Sequence, residues 1–243
     1  MTYYTQLKAS DGVGAQYQRI IQTYIYCKST GLQFLYTPFE KIEHNYQNDP
    51  KFINQQEELI NLYDKLPLVK GVQANAIDYG TIVMPWFESN IDIACNSEHM
   101  NFMKKCFWEN KDRDVYKNNK KNIAIHIRRS NPHDKGTAGD RITTPDEYYL
   151  NIMKNIRNKY QSEDLQFHIY SQGDLANFDK YKEKDVVLHI DEAVNTSFIC
   201  MVGADILVTS PSSFSYIAAL ISDGEIYYKR FWHNPRKNWI TSG

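Results

Sequence analysis

The chain reads as an α/β protein, with a parallel sheet in its C-terminal half and a less regular α/β half before it. Three observations predict this. From about residue 118 onward, short β-branched or aromatic runs alternate with helical patterns, joined by short connections. Asn122–Ile127 is short, apolar and β-branched, as a buried strand is. Near the start, a strand-like run, Thr2–Leu7, passes through Asp11-Gly12-Val13-Gly14-Ala15-Gln16 into a helical pattern.

Taken in order, Thr2–Leu7 is the first expected strand. The glycine-rich turn lets the backbone approach a ligand closely and opens a helix over Gln16–Ser29. A turn that merely starts a helix is the competing reading of the same glycines. Gly31 stops that helix, Leu32–Tyr36 reads as a second strand, and Pro38 breaks it. Lys41–Tyr46 then places His44 and Asn45 beyond a strand end, where a general base or a simple surface pair could stand. A helix is expected over 54–65, a short strand over Thr81–Met84 before Pro85, and an amphipathic helix over Glu98–Trp108.

The charged connector Glu109–Lys121 marks a domain boundary, giving domains over 1–115 and 116–243. In the second, strands are expected at Asn122–Ile127, Leu165–Tyr170, Val186–Ile190, Ile206–Thr209 and Glu225–Tyr228. Helices fall between them at Pro145–Tyr160, around Leu175–Tyr181, and at Thr196–Val202 and Ser213–Ile221. Thr144 is the expected N-cap of the first, with Pro145 in its first turn.

Composition excludes some functions. Over 243 residues the formal net charge is −1, which gives no electrostatic footprint for nucleic acid or a membrane surface. The four cysteines are scattered without a Cys-x-x-Cys pair, as in a protein with reduced thiols. No signal-peptide pattern or bilayer-length apolar run is present, so a cytoplasmic location and no membrane span are expected.

Ligands of open α/β sheets sit beyond the carboxyl ends of the strands. Three expected strand-end loops carry suitable chemistry. The first follows His126-Ile127 with Arg128 and Arg129, then His133 and Asp134. The second is Ser171-Gln172-Gly173. The third is Ser210–Ser215, which sets Ser212 and Ser213 at a helix start, where N–H groups and hydroxyls favour an anion. Guanidinium is planar, permanently charged and capable of bidentate contact with phosphate. Together the loops read as a diphosphate site; singly, each reads as a surface ion pair or a helix cap.

These motifs resemble the fucosyltransferase superfamily, which includes α1,2-, α1,6- and protein O-fucosyltransferases. The resemblance rests on His126-Ile127-Arg128-Arg129, on Ala204–Leu220 with its Ser-Pro-Ser-Ser-Phe-Ser core, and on Gly12-Val13-Gly14-Ala15-Gln16. It covers most of the C-terminal half and about the first thirty residues. It implies a GT-B-like fold of two Rossmann-type halves, an acceptor-side domain over 1–115 and a nucleotide-sugar-binding domain over 116–243. It implies Arg128 on the donor β-phosphate and His126 beside the guanine or phosphates. Ser212, Ser213 and Phe214 would hold the diphosphate; Ser210, Arg129, Ser171 and Gln172, in the strand-end loops, are further candidate donor contacts. Gly12, Gly14, Ala15 and Gln16 would form the N-terminal loop over it. Three positions depart from the pattern. Asn131 stands where an Asp is common, and Ala15 where an Asn precedes the loop Gln. Ser197, eight residues before Asp205, stands where an acidic residue reads the guanine amino group.

The resulting expectation is an inverting glycosyltransferase moving fucose from GDP-fucose to a glycan hydroxyl. Its donor is a substrate and no cofactor is implied. No Asp-x-Asp pair or metal-ligand cluster presents itself, so cationic and helix-dipole stabilisation of the leaving diphosphate is expected in place of a metal. Arg128 is the expected charge stabiliser; His44, His133 and Asp134 are candidates for the base. Two alternatives stay open: a transferase of the same fold using another nucleotide sugar, and a nucleotide- or carbohydrate-binding protein without catalysis.

Overall fold

The computed structural model describes residues 2–45, 48–129 and 144–242. It is a mixed α/β chain that divides into two compact units. The first holds Met1–Asp112 together with Trp232–Lys237; the second holds Arg113–Phe231 and Asn238–Gly243. The return of Trp232–Lys237 to the first unit has no counterpart in a single boundary near residue 115.

In the first unit, strands β1 (Tyr3–Gln6), β2 (Gln33–Phe34) and β3 (Ala74–Ile77) run parallel in the order β2-β1-β3. Helix α1 (Val13–Ser29) starts at Gly12 and buries Tyr17, Ile20, Ile21, Tyr24 and Ile25. It ends where Gly31 turns left-handed (φ 75°) and Leu32 N–H reaches back to Cys27 O at 2.8 Å, a closure that needs a residue without Cβ strain. Helix α2 (Phe52–Ile60) stops at Asn61, also left-handed. Helices α3 (Met84–Ser89), α4 (Ile91–Cys95) and α5 (Glu98–Trp108) complete the unit, the last capped by Ser97.

The expected strand over Thr81–Met84 is not there. Tyr79–Val83 forms a turn of π-helix that runs into α3. Asp78 accepts from Thr81 N–H at 2.9 Å and starts the helical turn. Pro85 lies in the first turn of α3, where its fixed φ suits a helix start.

In the second unit, β4 (Lys121–His126), β5 (Leu165–Ser171), β6 (Val186–Ile190), β7 (Ile206–Val208), β8 (Glu225–Lys229) and β9 (Ile240–Ser242) form one parallel sheet. Its order is β6-β5-β4-β7-β8-β9. The intervening helices are α6 (Asp146–Lys159), α7 (Val194–Gly203) and α8 (Ser213–Ile221), with a 3-10 stretch at Leu175–Tyr181. The helix expected from Pro145 starts one residue later, with Pro145 rather than Thr144 at the N-cap position.

Period-two alternation explains the core. Ile123, Ile125 and Ile127 point to one face, where they pack with Tyr149, Met153, Ile156, Phe167, Ile169 and Val208. Ala124 and His126 point to the other and are also buried. Both faces of β4 are therefore covered, as a central parallel strand requires. The chain winds outward from β4 to β6, then crosses to β7 on the other side of β4. The carboxyl ends of β4 and β7 flank the point where strand order reverses, the usual place for a ligand in an open sheet.

Candidate functional site

At that reversal point β4 delivers His126, Arg128 and Arg129, while β7 delivers the loop from Thr209 to Ser212. His126 is buried, with its Nδ1 at 2.8 Å from Ser210 Oγ and its ring edge-on to Phe214 at 5.7 Å. Phe214 in turn packs on Phe198 of α7 at 5.2 Å. Burial lowers the His126 pKa to about 3, and the neighbouring Arg128 charge works in the same direction. The imidazole is therefore neutral at physiological pH, a hydrogen-bonding fixture and not a second cation.

The serine loop is folded against itself. Ser212 N–H donates to Ser210 O at 2.7 Å. Ser212 caps α8 by accepting from Phe214 N–H at 3.3 Å. Ser215 Oγ is 3.2 Å from both Ser210 N and Ser210 O. So Ser212 and Ser215 are occupied as structure, and Ser213 occupies the first helical position. Helix α8 has no acidic residue in its first turn, and the leading amides of a helix have no intrahelical partner. The helix start is thus an unneutralised positive pole beside the arginine loop.

The two arginines have different roles. Arg129 is committed to Asp146 at the start of α6, donates to Thr144 O at 3.3 Å, and lies 5.8 Å over the Phe178 ring. Asp146 also accepts from Tyr181 Oη at 2.8 Å and Lys180 Nζ at 3.2 Å. Burial opposes its charge, but these donors and the Arg129 guanidinium prevail and hold the carboxyl below its ordinary range. With Arg129 fixed, its backbone carbonyl becomes a locating point. It accepts from Arg128 Nη1 at 2.6 Å and from Gln172 Nε2 at 3.1 Å. Ser171 Oγ donates to Ile127 O at 2.7 Å, which binds the second loop to the first. Arg129, Ser171 and Gln172 therefore shape the loop, and the half-buried Arg128 is the guanidinium at its centre.

The first unit holds a separate polar turn. Gln16 Nε2 donates to Asp11 O at 2.7 Å and to Lys41 O at 2.8 Å, and Glu43 N–H also donates to Asp11 O at 3.3 Å. Asp11 is clamped by Arg19 through two bonds of 2.7 and 2.6 Å. His44, left-handed at φ 73°, lies against Gly12: a Cβ at Gly12 would come within 2.9 Å of its Cδ2. Gly12 thus leaves the space that the His44 ring fills. Gly14 is buried inside α1, and Ala15 follows it in the first turn.

No family model matches this chain, and none of the curated proteins compared matches it. The chain is similar to solved fucosyltransferase structures. One is the fucosyltransferase NodZ from Bradyrhizobium, at 10% identity and TM-score 0.46, covering 91% of this chain and 93% of that one. Another is NodZ α-1,6-fucosyltransferase soaked with GDP-fucose, at 12% identity and TM-score 0.44, with 91% and 93% covered. A third is POFUT1 in complex with GDP, at 11% identity and TM-score 0.44, with 92% and 95% covered.

Of the residues singled out from sequence, the second unit brings His126, Ser210, Phe214 and the arginine loop into one connected cluster. Ser197 is buried on α7, one residue before Phe198, and presents a hydroxyl without charge. Gly12, Gly14, Ala15, Gln16 and His44 form the turn of the first unit. His133, Asp134 and Asn131 lie outside the described residues. Sequence reading passed over Asp146, Tyr181 and Phe198. Asp146 had one weak signal, a carboxylate in the first turn of a helix, which equally suits the helix dipole. Among the described residues no group of His, Cys, Asp or Glu is arranged to hold a metal ion. No described helix is long and apolar enough to cross a membrane.

Proposed function

We propose that the protein is an inverting glycosyltransferase that moves fucose from GDP-fucose to a glycan hydroxyl, without a metal ion or other cofactor. The observation that carries this is the cluster at the β4/β7 reversal, where one guanidinium, a helix start and a neutral histidine converge. A cation and a helix N-terminus in one place suit a diphosphate, and the motifs supplying them resemble those of fucosyltransferases.

In the reaction, the acceptor oxygen attacks the anomeric carbon opposite the diphosphate. The bond from that carbon to the β-phosphate oxygen breaks, and its electron pair stays on the phosphate. Arg128 and the α8 amides stabilise that charge where it develops. His126 remains neutral and holds Ser210, so the loop does not reorganise as charge moves. The acceptor proton passes to a base, for which His44, His133 and Asp134 are the candidates.

A second reading has its own support. Ser197 is a buried hydroxyl where a carboxylate would select guanine, which suits a different nucleotide base. Calorimetric titration with GDP, UDP and ADP, with Arg128→Ala alongside, tests both. Tight GDP binding lost in Arg128→Ala supports the first reading. Preference for UDP or ADP keeps the transferase and changes the donor. Binding of none refutes the site.

A further inference from the structure

The strap Trp232–Lys237 carries the least explained chemistry in the chain. Its backbone is latched to the first unit: Asn234 N–H donates to Glu88, and Lys237 N–H donates to Asp92 Oδ1 at 3.1 Å. His233 is 3% exposed, whereas Trp232 beside it is 65% exposed. The hydrogen bonds explain how this pair is oriented. His233 Nε2 lies 3.0 Å from the Trp232 indole N–H and 2.9 Å from Gln18 Nε2, both of which can only donate. Nε2 must therefore be the acceptor, and the proton sits on Nδ1, 2.8 Å from Glu88 Oε1. Gln18 Nε2 donates its other hydrogen to Tyr79 Oη at 2.7 Å, and Tyr79 donates to Gln22 Oε1 at 2.7 Å. The Arg19 guanidinium, paired with Asp11, lies 5.6 Å over the Tyr79 ring.

This chain of contacts runs from the indole to the glycine turn of the first unit. It lies where that sheet also reverses, between β1 and β3, because Gln18 follows β1 and Tyr79 follows β3. Two consequences follow. The indole N–H is used internally, so the exposed part of Trp232 is aromatic surface on a fixed mount. Behind its His233 mount, Gln18 and Gln22 are buried, and the Gln18 Oε1 and Gln22 Nε2 atoms have no hydrogen-bond partner among the described residues. A fixed, exposed aromatic face on a polar mount suits a ligand with one flat apolar face. A pyranose ring with equatorial substituents has that shape, since its axial C–H bonds make a flat apolar face that meets the negative face of an indole.

We propose that Trp232 is the stacking platform of a saccharide site in the first unit, taking a β-linked pyranose, with His233, Gln18 and Glu88 as positioning residues. This rests on the glycosyltransferase reading, in which the first unit serves the acceptor.

The test is saturation-transfer NMR with cellobiose and lactose as probes and sorbitol, an open-chain polyol, as control. It uses the full chain as wild type, Trp232→Ala and Trp232→Phe, with Ile93→Ala as an exposed apolar control. The wild type and Ile93→Ala should bind a disaccharide and not sorbitol. Trp232→Ala should weaken binding by about fivefold or more, with Trp232→Phe between, at unchanged melting temperature. Equal binding by Trp232→Ala, or no disaccharide binding by the wild type, overturns the proposal. Calorimetry with GDP separates the two layers. GDP binding with a failed saccharide test leaves the transferase reading standing. Saccharide binding lost in Trp232→Ala, without nucleotide binding, keeps the platform and removes that reading.

Discussion

Lowering the pH from 7 to 5 should destabilise this protein through His126 in a calculable way. The imidazole is buried, bonded to Ser210 and next to Arg128, and its pKa falls from an ordinary 6.5 to about 3. Above pH 6.5 neither the folded nor the unfolded state binds a proton there. Below 6.5 the unfolded chain protonates while the folded one does not until about pH 3. The unfolded state then binds more protons, so stability falls as pH falls through that window, and the group adds no further slope below it. Between pH 7 and pH 5 the loss is about 2 kcal/mol, from 1.36 kcal/mol per pH unit below the unfolded pKa. Urea unfolding of wild type and His126→Asn at both pH values measures it. Asparagine keeps an amide near Ser210 but cannot titrate. His168, lowered to about 4 by burial and by His189, contributes to both proteins and cancels in the comparison. The wild type should lose about 2 kcal/mol more than the mutant. Equal losses would mean that His126 is charged or exposed in the folded state, and the neutral-fixture argument would be wrong.

Other outcomes follow from the same contacts. Arg128→Ala should lower turnover by about 10²–10³-fold or more while the protein stays folded, checked by transfer assay and circular dichroism. Asp146→Asn should release Arg129 and, through its carbonyl, let Arg128 shift; turnover should fall by about tenfold with a smaller change in GDP affinity. Gly224→Ala should destabilise by about 3 kcal/mol, because a Cβ there would meet Ala204 O at 2.4 Å and Asp205 O at 2.7 Å, backbone atoms that cannot move aside; thermal melting reads it.

Sequence pattern was most legible where burial dictates composition. Strands β4, β5, β7 and β8 are rich in β-branched or aromatic residues because both faces are covered, so periodicity and length found them; the edge strand β6 is half-buried and was found from its own Val-Val-Leu-His-Ile run. β3 and β9 escaped notice. Ala74–Ile77 holds an alanine, an asparagine and another alanine before its one isoleucine, and β9 is a three-residue edge strand. Their pairing comes from neighbours, not from their own propensity. Thr81–Met84 failed for the opposite reason: its Thr-Ile-Val composition suits a strand, but Asp78 and Pro85 act as helix-start signals on either side. The strap at Trp232–Lys237 carries no local signal, since its partners Glu88, Asp92 and Gln18 are all more than a hundred residues away.

The pair Arg128-Arg129 shows why a motif underdetermines roles. Both residues are arginines at a strand end, and composition cannot separate them. The structure does so by what each guanidinium meets. Arg129 finds a carboxylate, a carbonyl and a ring within its own unit, and a cation so satisfied gains little from a ligand. Arg128 donates to the Arg129 carbonyl oxygen, and its neighbour His126 is kept neutral by burial. A protonated His126 would add a second cation, but it would have to be desolvated next to the first, and the cost of burial decides against it. A neutral His126 also spares the neighbouring Arg128 a second, repelling cation in the folded protein, so the loop keeps its geometry without a counter-charge.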